Sequence, residues 1–337
     1  MIVTTENPLR SITDRHYGGR VADDTLTGLT REQAAAILMD ASPGARVVGV
    51  ERMDGGIETG AYEVLCADPL RNSVVKVYAK DEGWKLLKEI GVYRLLRENA
   101  ITQVPKLLGG AGPNGVLGLP YLVMSKLPGT TVAAISGTMP DSELADVYRQ
   151  MGSLLASVHA IGQDAYGYLT TDIIDPQPSS EANMKATLNR VSQSYLDTTG
   201  DRELYEAAHS YLGARSDLFA LCRRPVLLHN DFHAGNVIVA QTPEGPVVSG
   251  LIDVENAMAG DPVADLAKTH SYSIRGNRVK LDALFEGYGE APVEWERRFR
   301  LFELVQSFEL WDFFRSVGMR DKLGPLADEL RAIIAAD

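Results

Sequence analysis

Two hydrophobic periods divide this chain, and their order limits what it can fold into. Between residues 47 and 79 the apolar residues come in short segments rich in Val and Tyr: Val47–Met53, Ala61–Cys66 and Ser73–Ala79. Asp54-Gly55-Gly56 separates the first two, and Asp68-Pro69 with Asn72 the next two. Such runs between turn residues predict an antiparallel meander. From Asp141 the spacing becomes helical, with Leu144, Val147, Met151, Leu154, Leu155 and Val158 on one face of a long helix. Strands first and helices afterwards predict an α+β chain of two lobes, a small β-rich one and a larger, mostly helical one.

Local signals fill in the outline. Thr30 with Gln33 three positions later is a capping-box pattern for a helix through Ala34–Met39, closed by Ser42-Pro43-Gly44. Glu82–Glu98 reads as the main helix of the first lobe, with Trp84, Leu87, Ile90 and Leu95 at helical spacing. Leu107–Leu108 and Tyr121–Met124 read as further strands. In the second lobe, helices are expected near Asn183–Leu196 and Glu203–Leu221 after a polar stretch with Pro176 and Pro178. Strands follow at Val226–Leu228, Val237–Val239 and Val247–Asp253, then helix over roughly Leu281–Ala336. With Pro128-Gly129 as the hinge, the expected division is an arm at 1–28, a first lobe at 29–124, a connector at 125–128 and a helical lobe at 129–337.

The 45 acidic against 33 basic side chains give a formal charge of −12, which disfavours nucleic acid or an anionic membrane as partner and suits a cationic ligand. No apolar run approaches the roughly 18 residues of a membrane span. The first residues carry Glu6, Arg10, Asp14 and Arg15 where a signal peptide needs an apolar stretch. Cys66 and Cys222 make neither a disulfide framework nor a CxxC site. A cytoplasmic monomer or homodimer is expected.

The densest polar cluster, Leu228-His229-Asn230-Asp231-Phe232-His233-Ala234-Gly235-Asn236-Val237-Ile238, is a loop held between two apolar strands. Its skeleton is His229-x-Asp231-x4-Asn236, followed by Ile252-Asp253 on the next strand. One carboxylate to accept a hydroxyl proton, with an amide and a second carboxylate for Mg²⁺, is what phosphoryl transfer to an alcohol requires. The first lobe holds matching parts. Lys76 is a charge inside the apolar strand Val74-Val75-Lys76-Val77-Tyr78, and Glu89 on the next helix could reach it. Gly55-Gly56-Ile57-Glu58-Thr59-Gly60 offers backbone N–H groups to phosphates.

The stretches LLHNDFHAGNVIV and GLIDVENAMAGDPVADLA resemble the catalytic and metal-binding segments of the aminoglycoside phosphotransferase family, small-molecule kinases built on the protein-kinase-like fold. Asp261-Pro262 and Asp265-Leu266 match the family's Asp-Pro-x-x-Asp-Leu run, and the resemblance covers about residues 50 to 315, weakly through 165–220. It implies Asp231 as catalytic base, Asn236 and Asp253 as metal ligands and His229 as a structural residue of the loop. It also implies Lys76 with Glu89 as the lysine–glutamate pair, Gly55 and Gly56 as the phosphate loop, and Ser125, Lys126 and Leu127 as the connector whose backbone binds the purine. ATP or GTP with Mg²⁺ is the implied cofactor set.

The expected acceptor is a hydroxyl of a small molecule, with a cationic antibiotic such as an aminoglycoside first. The same family holds kinases for macrolides, peptide and nucleoside antibiotics, choline, homoserine and sugars. Glu255 and Asn256, close after Asp253, are candidates to face the acceptor, as are Glu309 and Asp312 among the apolar residues of Leu301–Arg315. Two rivals lie outside the class. His229, Asp231 and His233 form an H-x-D-x-H pattern that suits a metal-dependent hydrolase, and a non-catalytic nucleotide-binding module would share the fold.

Overall fold

The computed structural model describes residues 28–53, 60–113 and 115–336; the expected arm at 1–28, apart from Gly28, lies outside the described residues. The capping box forms: Gln33 N–H donates to Thr30 Oγ1 at 3.2 Å and Thr30 N–H to Gln33 Oε1 at 2.9 Å. It opens α1 (Arg31–Ala41). The meander follows as β1 (Val47–Arg52), β2 (Gly60–Cys66) and β3 (Ser73–Val77), all antiparallel. After α2 (Gly83–Glu98), β4 (Leu107–Ala111) and β5 (Tyr121–Ser125) complete one five-stranded sheet in the order β1-β2-β3-β5-β4.

Strand alternation sorts this sheet into two faces. Val75, Val77, Tyr121 and Val123 pack with Ala34, Ile37 and Leu38 of α1. Val74, Leu122 and Met124 point the other way, into a larger core that includes α2 and most of the second lobe. The set Trp84, Leu87, Ile90 and Leu95 is not the buried face of α2. Leu87 is 54% exposed, and the buried stripe joins Leu86, Val92, Tyr93 and Leu96 to Lys85, Lys88 and Glu89. Apolar spacing misses that stripe because charged side chains form part of what α2 buries at the cleft.

Past the hinge come β6 (Thr130–Thr131), the single turn α3 (Val132–Ile135) and α4 (Asp141–His159), whose six expected apolar residues are all buried. Gly129 takes φ +106°, and a Cβ there would collide with the carbonyl of Val239, so the hinge requires glycine. The polar stretch with Pro176 and the residues before it contain two strands not expected from the sequence. These are β7 (Tyr166–Leu169) and β8 (Ile173–Gln177), too short and too rich in Gly and Pro to show a period of two. Then follow α5 (Ser180–Thr199) and α6 (Arg202–Gly213); the expected helix over Glu203–Leu221 breaks there, and Ser216–Leu221 is a 3₁₀ turn.

The chain continues through β9 (Val226–Leu228), β10 (Val237–Thr242), β11 (Gly245–Leu251), β12 (Met258–Gly260) and α7 (Val263–Thr269). It closes with α8 (Arg278–Tyr288), α9 (Trp295–Ser316) and α10 (Leu323–Ala335). The short strands assemble as β8-β7-β12-β9, and the hairpin β10–β11 takes β6 at its edge. Gly152 of α4 and Gly287 of α8 let these two helices meet backbone to backbone, since a Cβ on either would strike a carbonyl of the other helix. Among the described residues no helix is long and apolar enough to cross a membrane.

Candidate active site

Alternation along β3 aims Lys76 away from the α1 core and toward α2. Its Nζ lies 2.7 Å from Glu89 Oε1, 2.8 Å from Asp253 Oδ1 and 2.8 Å from Glu255 Oε2, so one ammonium serves three carboxylates. Burial alone would lower the Lys76 pKa, but Asp253, Glu255 and Glu89 together hold it well above the lysine value. Glu89 is fully buried and also accepts the Tyr78 hydroxyl at 2.9 Å. Burial raises its carboxyl to about 7, with Lys76 opposing and the charges of Glu255 and Asp253 adding to the rise.

The loop between β9 and β10 has few backbone partners of its own, and side chains of α7 and its extension supply them. Asp265 accepts the N–H of His229 at 2.8 Å and of Asn230 at 2.7 Å. Lys268 donates to Asn230 O at 2.7 Å, and the Thr269 hydroxyl to Phe232 O at 2.8 Å. Asp265 is itself held by His159 at 3.2 Å, whose other ring nitrogen meets the Tyr288 hydroxyl at 2.8 Å. This scaffold stabilises a left-handed Asn230, φ +58°, a conformation that disfavours most side chains.

Asp231 sits at the centre of that loop. Its Oδ2 accepts the Asn236 amide at 2.9 Å and lies 3.4 Å from His233 Nε2, while Oδ1 faces Lys268 Nζ at 3.6 Å. Burial pushes the carboxyl up, but Lys268 and His233 outweigh it and hold Asp231 well below the ordinary carboxylate range. His229 donates from Nε2 to Ile252 O at 2.9 Å, and burial lowers its pKa. His233 Nδ1 accepts the Gly235 N–H at 3.0 Å. The H-x-D-x-H residues therefore do not converge as a metal trio; among the described residues the carboxylates of Glu89, Asp253 and Glu255 form the cluster with metal-ligand spacing.

The hairpin explains how residues 17 positions apart in the sequence become neighbours. Val237 pairs with Leu251, and Ile252 N–H donates to Asn236 O at 3.0 Å, so Asn236 and Asp253 flank the same end of the hairpin. Asp253 is left-handed, φ +64°, and its N–H donates to the Tyr93 hydroxyl at 3.1 Å. Asn236 uses its amide nitrogen on Asp231, so its carbonyl oxygen remains as a metal donor. With the Asp253 carboxylate this makes a set of hard oxygen donors suited to Mg²⁺.

A cleft of about 480 Å³ runs from these residues to the connector. Ala61, Val74, Met124, Leu127, Ile238 and Ile252 give it apolar walls. Ser125, Lys126 and Leu127 line it too, with the Ser125 N–H committed to Lys106 O and the Lys126 N–H to Asn72 O. Gly55 and Gly56 lie outside the described residues. Glu255 stands on Lys76, and Asn256 ends the 3₁₀ turn that follows Asp253. Glu309 lies 3.6 Å from Arg190, and Asp312 is buried, accepting Ser194 Oγ and Arg315 at 2.7 Å each. Sequence reasoning missed Lys268 and the anchoring role of Asp265; their spacing of three on one short helix, so that both face the same loop, was the available signal.

The profile of the phosphotransferase enzyme family (APH) matches residues 49–301, about three quarters of the chain. Viomycin phosphotransferase of Streptomyces vinaceus is 29% identical over 228 residues, covering 67% of this chain and 74% of that protein. A thermostable mutant of aminoglycoside phosphotransferase APH(4)-Ia, in ternary complex with ADP and hygromycin B, superposes with a TM-score of 0.67 at 17% identity, covering 90% of this chain and 98% of its own. The GDP complex of wild-type aminoglycoside 2'-phosphotransferase-IIIa gives 0.63 at 16%, covering 91% and 99%. The fold is thus the two-lobed one of those enzymes, and with the family profile spanning both lobes this chain belongs to the phosphotransferase enzyme family.

Proposed function

We propose that this enzyme transfers the terminal phosphoryl group of ATP or GTP to a hydroxyl of a small antibiotic. The observation that carries the reading is the meeting of Lys76 and Glu89 from the first lobe with Asp253 from the second, beside the loop that presents Asp231 and Asn236. Lys76 binds the nucleotide phosphates, oriented by Glu89. Asn236 and Asp253 would hold Mg²⁺, whose charge, when bound, stabilises the phosphates during transfer. The apolar walls of the cleft suit a purine, and the relatives in complex with ADP and GDP support a nucleotide there.

Oδ1 of Asp231 orients the acceptor hydroxyl. As the acceptor oxygen bonds to phosphorus, the bridging P–O bond breaks, the nucleoside diphosphate leaves with the electron pair, and the hydroxyl proton passes to Asp231. A carboxylate held this far below its usual pKa is a weak base, which suits a loose transition state in which the proton moves late. Positioning and charge then supply most of the rate.

The relatives named for viomycin and for aminoglycosides support an antibiotic as acceptor, and both classes are tested first. A coupled nucleotide-consumption screen across aminoglycosides, viomycin-type peptides, macrolides, nucleosides and small amino alcohols, with Asp231→Asn as control, decides the matter. Turnover of an antibiotic that Asp231→Asn abolishes is the expected result. Robust turnover of a metabolite alone removes the antibiotic reading, and full activity in Asp231→Asn removes the assigned base.

A further inference from the structure

Glu89 and Tyr93 stand one turn apart on α2, so both come to the cleft, and both are buried. The Tyr93 hydroxyl crosses to the second lobe and accepts the N–H of Asp253 at 3.1 Å. Asp253 takes φ +64° and ψ +61°, a left-handed backbone that L residues disfavour. The chain divides at this residue: Asp253 lines the cleft, while Val254, next along, is completely buried in the core. Bonds within the second lobe fix the residue before it. Ile252 donates its N–H to Asn236 O at 3.0 Å and accepts His229 Nε2 on its own carbonyl at 2.9 Å. The bond at Asp253 N–H comes instead from the other lobe.

A disfavoured backbone conformation persists only where its surroundings hold it. Lys76 meets Asp253 at the carboxylate, 2.8 Å away, and an ammonium drawn to nucleotide phosphates loosens that hold. The Tyr93 bond is made to the backbone and does not depend on the ammonium. We propose that Tyr93 is a positioning residue for the metal. Its hydroxyl keeps Asp253 left-handed, so that the carboxylate stands with the Asn236 carbonyl where the two would hold Mg²⁺. The inference rests on the phosphotransfer reading and concerns the metal ligand rather than the acceptor. Tyr93→Phe removes the hydroxyl and keeps the ring, which separates the bond from the packing.

The test compares Tyr93→Phe with wild type by titration calorimetry with ADP and with GDP, each in Mg²⁺ and again with EDTA in its place. Amide hydrogen exchange at Asp253 and the melting temperature are read on the nucleotide-free proteins. In Mg²⁺ the variant should bind nucleotide about tenfold more weakly, and in EDTA within about twofold of wild type. Exchange at Asp253 should be about tenfold faster, the usual consequence of losing one hydrogen bond. Equal losses in Mg²⁺ and EDTA assign Tyr93 to the nucleotide site or to packing and overturn the proposal. Unchanged affinity under both conditions overturns it, as does unchanged exchange at Asp253. A lowered melting temperature with the Mg²⁺ dependence intact assigns Tyr93 to packing alone and overturns it too. Tyr93→Met carries the same expectations should Tyr93→Phe fail to fold. Wild type that binds equally well in Mg²⁺ and EDTA removes the metal role of Asp253 and this proposal with it. Wild type that binds neither nucleotide under either condition overturns the phosphotransfer reading itself, a result distinct from any that concerns Tyr93.

Discussion

Oδ1 of Asp231 faces the ammonium of Lys268 at 3.6 Å, too far for a hydrogen bond and near enough to keep the carboxylate ionised. Asn236 bonds Oδ2, and in the proposed reaction the oxygen beside Lys268 is the one that receives the acceptor hydroxyl. Lys268→Met is expected to lower the turnover rate about tenfold to a hundredfold, in the range typical for a group that aids one catalytic residue. The Michaelis constant for the nucleotide stays within about twofold. Lys268→Arg recovers part of the rate. Steady-state kinetics on the acceptor found by the screen reads both; an unchanged rate in Lys268→Met refutes the assignment.

Lys76→Met removes a cation bonded to three carboxylates. Glu89, fully buried, is then left with the Tyr78 hydroxyl as its remaining bonded partner on that oxygen. The nucleotide-free protein should lose about 3 kcal/mol, the usual consequence of stranding a buried charge. The double variant Lys76→Met/Glu89→Gln should regain part of that. Urea unfolding of the two variants checks the order, and equal stability would argue that the pair is solvated in solution.

Gly287→Ala places a methyl against the Arg149 carbonyl and forces α8 away from α4. A loss of about 2 kcal/mol is expected despite the better helix propensity of alanine. Gly91, mid-helix on α2 and exposed, has nothing within 4 Å of its missing Cβ. Gly91→Ala should therefore gain about 0.5–1 kcal/mol. Thermal unfolding of both variants reads the opposite signs.

Asp201 caps α6 through the Leu204 N–H at 3.0 Å and also accepts the Tyr195 hydroxyl at 3.2 Å and Arg331 at 2.6 Å. The Leu204 N–H, with Tyr195 and Arg331, holds its carboxyl below the ordinary 3.8 despite some desolvation. A lowered folded-state pKa means that the unfolded chain binds more protons as the pH falls. The stabilisation is present above the unfolded value of 3.8 and is lost as pH drops through the folded one. Asp201→Ala should cost about 1 kcal/mol at neutral pH, the usual worth of such a cap, and progressively less below pH 4. Melting temperatures of the two proteins across that range should converge; a constant gap would contradict the cap.

Local signals in the sequence were reliable wherever the physics is local. The Thr30–Gln33 box, the β1–β3 meander and the six apolar residues of α4 depend on turn chemistry and on side-chain period, and both are legible over a few residues. The loop from His229 to Asn236 was legible for the same reason, as a polar run pinned between two apolar strands. The strands β7, β8 and β12 were not, because three to five residues bearing Gly or Pro show no period until partners supply their hydrogen bonds. The buried stripe of α2 was missed because Lys85, Lys88 and Glu89 read as solvent-facing residues in any one-dimensional pattern.

The order of the lobes, the hairpin that brings Asn236 beside Asp253 and the residue types available for phosphoryl transfer can all be read along the linear chain. How those charges are shared depends on contacts between segments far apart in the chain. Lys76 meets Asp253 across 177 positions, Glu255 joins it there, and Lys268 reaches back from α7 to Asp231. The reason is that the energy of an ionised group is set by the water it loses and the charges it gains. Both are properties of surfaces that exist only once distant segments have packed.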